Sequence, residues 1–326
     1  MQTAQLLVGL DVGGTKTAVL LADANSNALA EATIPTYTAT PEALLGTITR
    51  AVRTVLAEVQ ATPRQIQSIG LGVPGLVDPA TGIVQLAVNL NLQRYPLGPA
   101  VAARFKTPTF LENDVRMAAV GAFAYAQQTE PVQSLAYVSI GTGVAAGVIL
   151  NGRLHRGHNG MAGEIGHMIV EPGGARCNCG QYGCLETIVA GPAIVRQLIA
   201  AAPEMEKRIR HAGEVYAAAG QGHAAAQAVV QRVGQHLSRA IQWLVMMYDV
   251  EKIVIGGGVT RSGEAFLAPI RHELAQLRQQ SPLAAALLPE EKLHLMPPEY
   301  NPGLWGAVRL AVNGNRWTVN GNRLGS

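Results

Sequence analysis

The apolar positions of this chain fall into two kinds of run, and their order predicts the architecture. Leu6 to Leu10 is an unbroken β-compatible run, Asp11-Val12-Gly13-Gly14-Thr15-Lys16 interrupts it, and Thr17 to Leu21 resumes it. This is the pattern of a β-hairpin closed by a glycine turn. It recurs at Leu135 to Ile140, Gly141-Thr142-Gly143 and Val144 to Leu150, ending in the turn Asn151-Gly152. The chain therefore reads as two related strand-turn-strand units, one opening each of two lobes. Between them, Pro41 to Val59 has helical spacing and Ser68 to Val73 is a strand ended by Pro74-Gly75. Pro108 to Leu111 is a short strand before a helix from about Val115 to Ala126. Further on, Ala190 to Ala202, Ala212 to Ala219 and His223 to Tyr248 carry apolar residues at helical periods. Lys252 to Ile255 is a buried strand running into Gly256-Gly257-Gly258. Trp305 to Val312 is a last apolar helix, and the polar tail from Asn313 is expected to be loosely held. Strands alternating with helices, twice over, predict an α/β fold with two sheets facing a cleft, and ligands at the strand ends that line it.

Length agrees with two lobes, because 326 residues exceed what one hydrophobic core usually serves. A net charge of +3 with 14% charged residues is too weak a basic excess for a nucleic-acid partner. Aromatic residues, at 5%, are too scarce for a base-stacking platform. No window is apolar enough to span a membrane, and Met1 to Val8 lacks the basic start of a leader, so a soluble cytoplasmic protein is expected. The three cysteines all lie between Cys177 and Cys184, which suggests a metal site in a reducing compartment rather than a disulfide framework.

Chemistry enters at four places. In Asp11-Val12-Gly13-Gly14-Thr15-Lys16 the glycines let backbone N–H groups approach an anion, so the turn can cradle a phosphate. It matches neither a P-loop nor a dinucleotide fingerprint. A glycine turn in a hairpin is often no more than a tight turn, but two copies at the starts of two lobes favour a ligand. Asp11 beside the first is an anchor for Mg²⁺, directly or through water. Glu112-Asn113-Asp114 ends a strand just before a helix, and Asp114 suits the base that takes a proton from a hydroxyl accepting a phosphoryl group. The competing use of Asn113 or Asp114 is to cap that helix, and spacing does not separate the two. Finally, Gly163-Glu164-Ile165-Gly166-His167 precedes Cys177-Asn178-Cys179-Gly180-Gln181-Tyr182-Gly183-Cys184-Leu185-Glu186. His167, Cys177, Cys179 and Cys184 form the ligand set of a closed, structural zinc site. Glu164 and Glu186 flank it and remain free for sugar hydroxyls, and His167 could donate its other ring N–H to the same ligand.

These motifs together resemble the ROK family of bacterial sugar kinases and sugar-responsive repressors, over nearly the whole chain. The resemblance implies a two-lobed actin-like or hexokinase-like (ribonuclease H-like) fold with a cleft between the lobes. It places a small lobe at 1–115 plus 306–326, closed by a returning C-terminal helix, and a large lobe at 116–305. It implies Asp114 as general base for the 6-hydroxyl of a hexose, with Asn113, Glu164, His167, Glu186 and Gly75 on the sugar. ATP phosphates would lie on Asp11, Gly13, Gly14, Thr15 and Lys16 and on Gly141, Thr142 and Gly143, with adenosine near Gly256, Gly257 and Gly258. Mg²⁺ and a structural Zn²⁺ are the implied metals, and a homodimer or homotetramer through the large lobe the implied assembly. The second turn departs from the family pattern at Ala145, which replaces a glycine and is tolerated if its φ is negative. Glucose is the expected substrate, since Ala162 to His167 and Cys184 to Thr187 look like the glucokinase branch. N-Acetylglucosamine, N-acetylmannosamine, mannose and fructose kinases share the motifs, and some relatives use polyphosphate. Asn89-Leu90-Asn91-Leu92 is a candidate sugar-facing loop or an ordinary surface turn. A non-catalytic sugar sensor is the alternative from another class; with the first turn already at Asp11, a helix-turn-helix reader is not expected.

Overall fold

The computed structural model describes residues 5–314, which divide into two compact units. The first runs up to Val132 and adds 147–162 and the chain from Tyr300; the second comprises 133–146 and 163–299. Strands β1 (Leu6–Val12), β2 (Lys16–Asp23) and β3 (Ala28–Pro35) lead into helix α1 (Pro41–Glu58) and strand β4 (Ile66–Val73). Three short strands follow, β5 (Leu76–Asp78), β6 (Ile83–Ala87) and β7 (Leu92–Tyr95), then α2 (Leu97–Phe105), β8 (Thr109–Asn113) and α3 (Asp114–Ala126). The second hairpin is β9 (Leu135–Ile140) and β10 (Val144–Leu150), with β11 (Arg153–His155) behind it. Helices α4 (Glu186–Val189), α5 (Gly191–Ala201), α6 (Ala212–Gly220) and α7 (Ala224–Tyr248) precede β12 (Lys252–Gly256). Then come α8 (Glu264–Gln280), α9 (Pro282–Leu287), β13 (Leu293–Leu295) and α10 (Pro302–Asn313). The second Asn-Gly of the polar tail, at 320–321, lies outside the described residues.

Two five-stranded sheets repeat one plan, β3-β2-β1-β4-β8 and β11-β10-β9-β12-β13. In the first, β1, β2 and β3 pair antiparallel while β4 and β8 add in parallel to β1. In the second, β12 and β13 add in parallel to β9. The central strands β1, β4, β9 and β12 are largely buried, as expected where both faces of a parallel region are covered. Strands β5, β6 and β7 form a separate antiparallel sheet within the first unit.

Helix α1 starts where Thr40 accepts a hydrogen bond from the Ala43 N–H at 3.1 Å, with Pro41 at its first position. Its Leu44, Ile48, Val52 and Val55 are fully buried in the core formed with β1, β4 and β8. Helix α10 covers the opposite face through Leu304, Val308 and Ala311, which cluster with Leu7, Leu20 and Ala22.

Relative to the lobes expected at 1–115 plus 306–326 and at 116–305, the first unit also holds α3, residues 147–162 and all of α10. Glycines draw these helices together. A Cβ on Gly121 would stand 1.9 Å from the Pro302 carbonyl oxygen, and one on Gly306 would stand 1.9 Å from that of Met117. Gly306→Ala is expected to lower stability by about 1–3 kcal/mol through overpacking against backbone that cannot yield. Denaturant unfolding checks this; a midpoint equal to wild type would refute it.

Candidate active site

Two clusters gather the residues singled out from the sequence, one in each unit. In the first, Asp11, Gly72 and Glu112 stand in one row across β1, β4 and β8. The carboxyl ends of β1 and β8 therefore finish on either side of β4. Asp114, the first residue of α3, follows β8 directly. Asp11 and Asp114 are close enough to feel each other: burial first, then repulsion from the Asp114 carboxylate, push the Asp11 carboxyl up to about 7, against a smaller pull from Lys16. Beneath Asp11 the start of α10 leaves room only for Gly303, whose Cβ would meet Asp11 Oδ2 at 2.6 Å.

Asn113 does cap the helix. Its Oδ1 accepts from the Val115 and Arg116 N–H groups at 3.1 Å each, while its Nδ2 donates to the Gly75 carbonyl at 3.2 Å. Capping by Asn113 and display of Asp114 are thus compatible uses of neighbouring residues. Gly75 adopts a φ of 96° and has the Leu86 carbonyl 2.2 Å from where a Cβ would stand, so no side chain fits.

The first glycine turn is closed by the Gly13 N–H donating to the Lys16 carbonyl at 3.0 Å. Gly14 faces the Asn89 carbonyl, 2.8 Å from where a Cβ would stand. This seats the Asn89 to Leu92 segment beside the turn, with Leu90 and Leu92 buried and Asn89 and Asn91 exposed.

In the second unit, Gly141 to Gly143 joins β9 to β10 and is held on three sides. Gly191 donates its N–H to the Gly141 carbonyl at 2.8 Å. Glu186 Oε2 accepts from the Val144 N–H at 3.0 Å, and Gly257 lies against the Ile140 carbonyl. The glycine pair Gly256 and Gly257 is demanded by packing on β9, whereas Gly258 is open. Ala145 is an ordinary residue of β10, absent from the positive-φ positions, so its replacement of a glycine costs no backbone strain.

His167, Cys177, Cys179 and Cys184 converge so that their ligand atoms all lie within 4.8 Å of one another. Cys179 and Cys184 Sγ are 3.6 Å apart, as are Cys177 Sγ and His167 Nδ1. A tetrahedral ion bound to sulfur at about 2.3 Å and nitrogen at about 2.0 Å spaces its ligands by roughly 3.5–3.8 Å, so the donor set fits zinc. Burial and the neighbouring thiols push Cys184 up to about 12. A bound divalent ion would reverse this, since the thiolate is the ligand. Glu164 gives its carbonyl to the His167 N–H at 3.2 Å.

The raised Asp11 has a consequence for stability. A carboxyl whose folded pKa exceeds its unfolded value favours the fold when protonated, so its contribution is complete below about pH 4 and is lost as pH rises through about 7. Asp11→Asn is expected to remove that loss. Its melting temperature should exceed that of the wild type increasingly from pH 5 to pH 8 in magnesium-free buffer. Parallel curves for the two proteins across that range would refute the assignment.

Sequence reasoning missed the partners of Glu112. Arg116, four residues on, and Arg156, directly after β11, both pair with it, at 3.0 and 2.6 Å. The four-residue spacing of Glu112 and Arg116 is the one signal the sequence carries, and it spans the end of β8 and the first turn of α3.

Comparison with known proteins identifies the fold and the family. A ROK family glucokinase from Streptomyces griseus, solved with glucose and AMPPNP, superposes with a TM-score of 0.75 at 28% identity, covering 95% of this chain and all of that one. The fold is thus the α/β, actin-like hexokinase fold expected from the motifs. The chain belongs to the ROK family, which it matches over residues 7–313. It is 34% identical over 276 residues to a glucokinase of Halalkalibacterium halodurans, covering 81% of this chain and 83% of that one. It is also 32% identical to the DNA-binding transcriptional dual regulator NagC of Escherichia coli, covering 81% of this chain but only 66% of the regulator.

Proposed function

We propose that this protein is an ATP-dependent hexose kinase that phosphorylates glucose at its 6-hydroxyl. The observation that carries the reading is Asp114 at the first position of α3, sharing its electrostatic environment with Asp11 beside the first glycine turn. In this reading the 6-hydroxyl proton passes to the Asp114 carboxylate as the oxygen attacks the γ-phosphorus and the bond to ADP breaks. Backbone N–H groups of Gly13 to Lys16 and of Gly141 to Gly143 hold the phosphates, and Gly256 to Gly258 approach the adenosine. Mg²⁺ bound with the nucleotide would neutralise developing phosphate charge, and Asp11 is the residue assigned to hold it. Glu164, His167, Glu186, Asn113 and Gly75 are assigned to the sugar. Zinc on His167, Cys177, Cys179 and Cys184 would fix the loop that carries two of those groups.

Glucose is preferred over N-acetylglucosamine, N-acetylmannosamine, mannose and fructose because of the likeness to glucokinases. A second reading, a sugar-sensing protein without catalysis, is favoured by the likeness to NagC. ADP release measured with MgATP across those five sugars separates them, with polyphosphate as an alternative donor in a parallel arm. Release that depends on glucose supports the first reading. Sugar binding without release from either donor supports the second. Among the described residues no helix is long and apolar enough to cross a membrane. A cytoplasmic location and a homodimer or homotetramer complete the proposal, the assembly being testable by sedimentation.

A further inference from the structure

The motif that presents Asp114 also contains Glu112, a carboxylate to which the reaction above gives no part. Glu112 is 1% exposed, and a buried carboxylate persists only where its charge is paired and its lone pairs are used. Both conditions are met within the first unit. Glu112 Oε1 accepts from the Asn113 N–H at 2.9 Å and from Arg116 Nε at 3.0 Å. Its Oε2 accepts from Arg156 Nε at 2.6 Å. Arg116 is itself 2% exposed, and its Nη1 donates to the Gly160 carbonyl at 2.6 Å.

Two guanidinium groups thus converge on one buried carboxylate, and that carboxylate grips the amide of the residue immediately before Asp114. Stability alone does not account for it, because apolar side chains of similar volume usually serve a core as well or better than a buried ionic triad. What the arrangement supplies is direction. The Asn113 N–H is held by Glu112, its Oδ1 by two helix N–H groups, and its Nδ2 by Gly75. Asn113, the residue leading into Asp114, cannot turn without breaking a charge-assisted hydrogen bond at its N–H and three hydrogen bonds of its side chain.

We propose that Glu112 is a positioning residue for phosphoryl transfer: braced by Arg116 and Arg156, it fixes the backbone at Asn113, and through it the start of α3, so that the Asp114 carboxylate meets the sugar hydroxyl. This rests on the kinase reading. Glu112→Asp keeps the charge and withdraws the carboxylate by one methylene. Since a misplacement of about 1 Å can cost roughly 10²-fold, kcat for sugar phosphate is expected to fall about 10- to 100-fold, with the sugar KM little changed. ADP release should then outrun sugar phosphate, because water accepts the γ-phosphoryl group in place of the misaligned hydroxyl and yields inorganic phosphate.

A merely structural role would lower both products together and leave their ratio as in wild type. The experiment therefore measures ADP and sugar phosphate in the same reaction for the wild type and the variant. A wild type inactive with every sugar and donor overturns the kinase reading and this proposal with it. An active wild type alongside a variant with unchanged kcat, or with an unchanged product ratio, overturns this proposal alone. Should Glu112→Asp fail to fold, Arg156→Lys keeps a cation, loses the Nε contact and is read by the same ratio. A fall in sugar phosphate per ADP supports the proposal, and a wild-type ratio overturns it.

Discussion

Asp114→Asn is expected to remain folded, to bind sugar, and to lose about 10²- to 10⁴-fold in kcat, the range that a positioned general base contributes. The two residues are nearly isosteric, and two electrostatic terms of opposite sign limit the change in stability. A negative charge in the first turn of α3 favours the helix by about 0.3–1 kcal/mol, which the amide forfeits. Against that, the variant relieves the repulsion that helps raise Asp11, so the Asp11 carboxyl should move back toward its ordinary range. Calorimetric titration with glucose, steady-state kinetics and thermal melting distinguish the outcomes. Loss of kcat with the sugar Kd and melting temperature preserved identifies a base. A variant within a few-fold of wild-type kcat removes Asp114 from that role, and loss of melting temperature in step with activity would make it a structural acid.

Removing the metal is expected to have the second large effect. Elemental analysis should find about one zinc per chain, because four protein ligands close a tetrahedral site. Stripping the metal with a strong chelator, or Cys184→Ser, should weaken sugar binding by about 10- to 100-fold, the range by which losing support around a metal site lowers metal affinity or activity. The reason is local. Cys184 is fully buried two residues before Glu186, whose carboxylate holds the Val144 N–H, and His167 is one of the four donors that converge. The loop has a second anchor, since Glu171 pairs with Arg232 and His236 of α7, so general unfolding is not expected. Zinc, but not magnesium, should restore affinity to the stripped protein. Metal-free protein with undiminished sugar affinity would refute the zinc site's part in binding.

Both hairpins were legible because long apolar runs broken by glycine leave few alternatives, and the helices α1, α3, α5, α6 and α7 because their apolar positions keep a helical period. Strand β3 escaped notice: Ala28 to Pro35 is an edge strand of alternating half-exposed and exposed residues, rich in alanine, with no fully buried side chain. Helix α8 was hidden by Pro269 in its interior, which reads as a break but is seated against Gly234 of α7. The short strands β5 to β7 are too brief for either period to register. At the candidate site, residue chemistry was informative where donors cluster in sequence, as in Cys177 to Cys184. It was silent where partners come from afar, as when Arg156 and the Gly160 carbonyl meet Glu112 and Arg116 across 44 positions in each case.

The glycine-mediated seat of α10 bears on how the chain matures during synthesis. Every residue of the second unit has been made by Glu299, whereas the first unit still lacks the helix that covers Leu7, Leu20 and Ala22. The unit begun first is therefore completed last, and until Leu304, Val308 and Ala311 emerge, one apolar face of its sheet stays open to water and to other nascent chains. Translation that stalls before Pro302 would leave an aggregation-prone intermediate rather than a shortened but folded protein, so yield in the cell should respond to chaperone supply more strongly than the stability of the finished protein suggests.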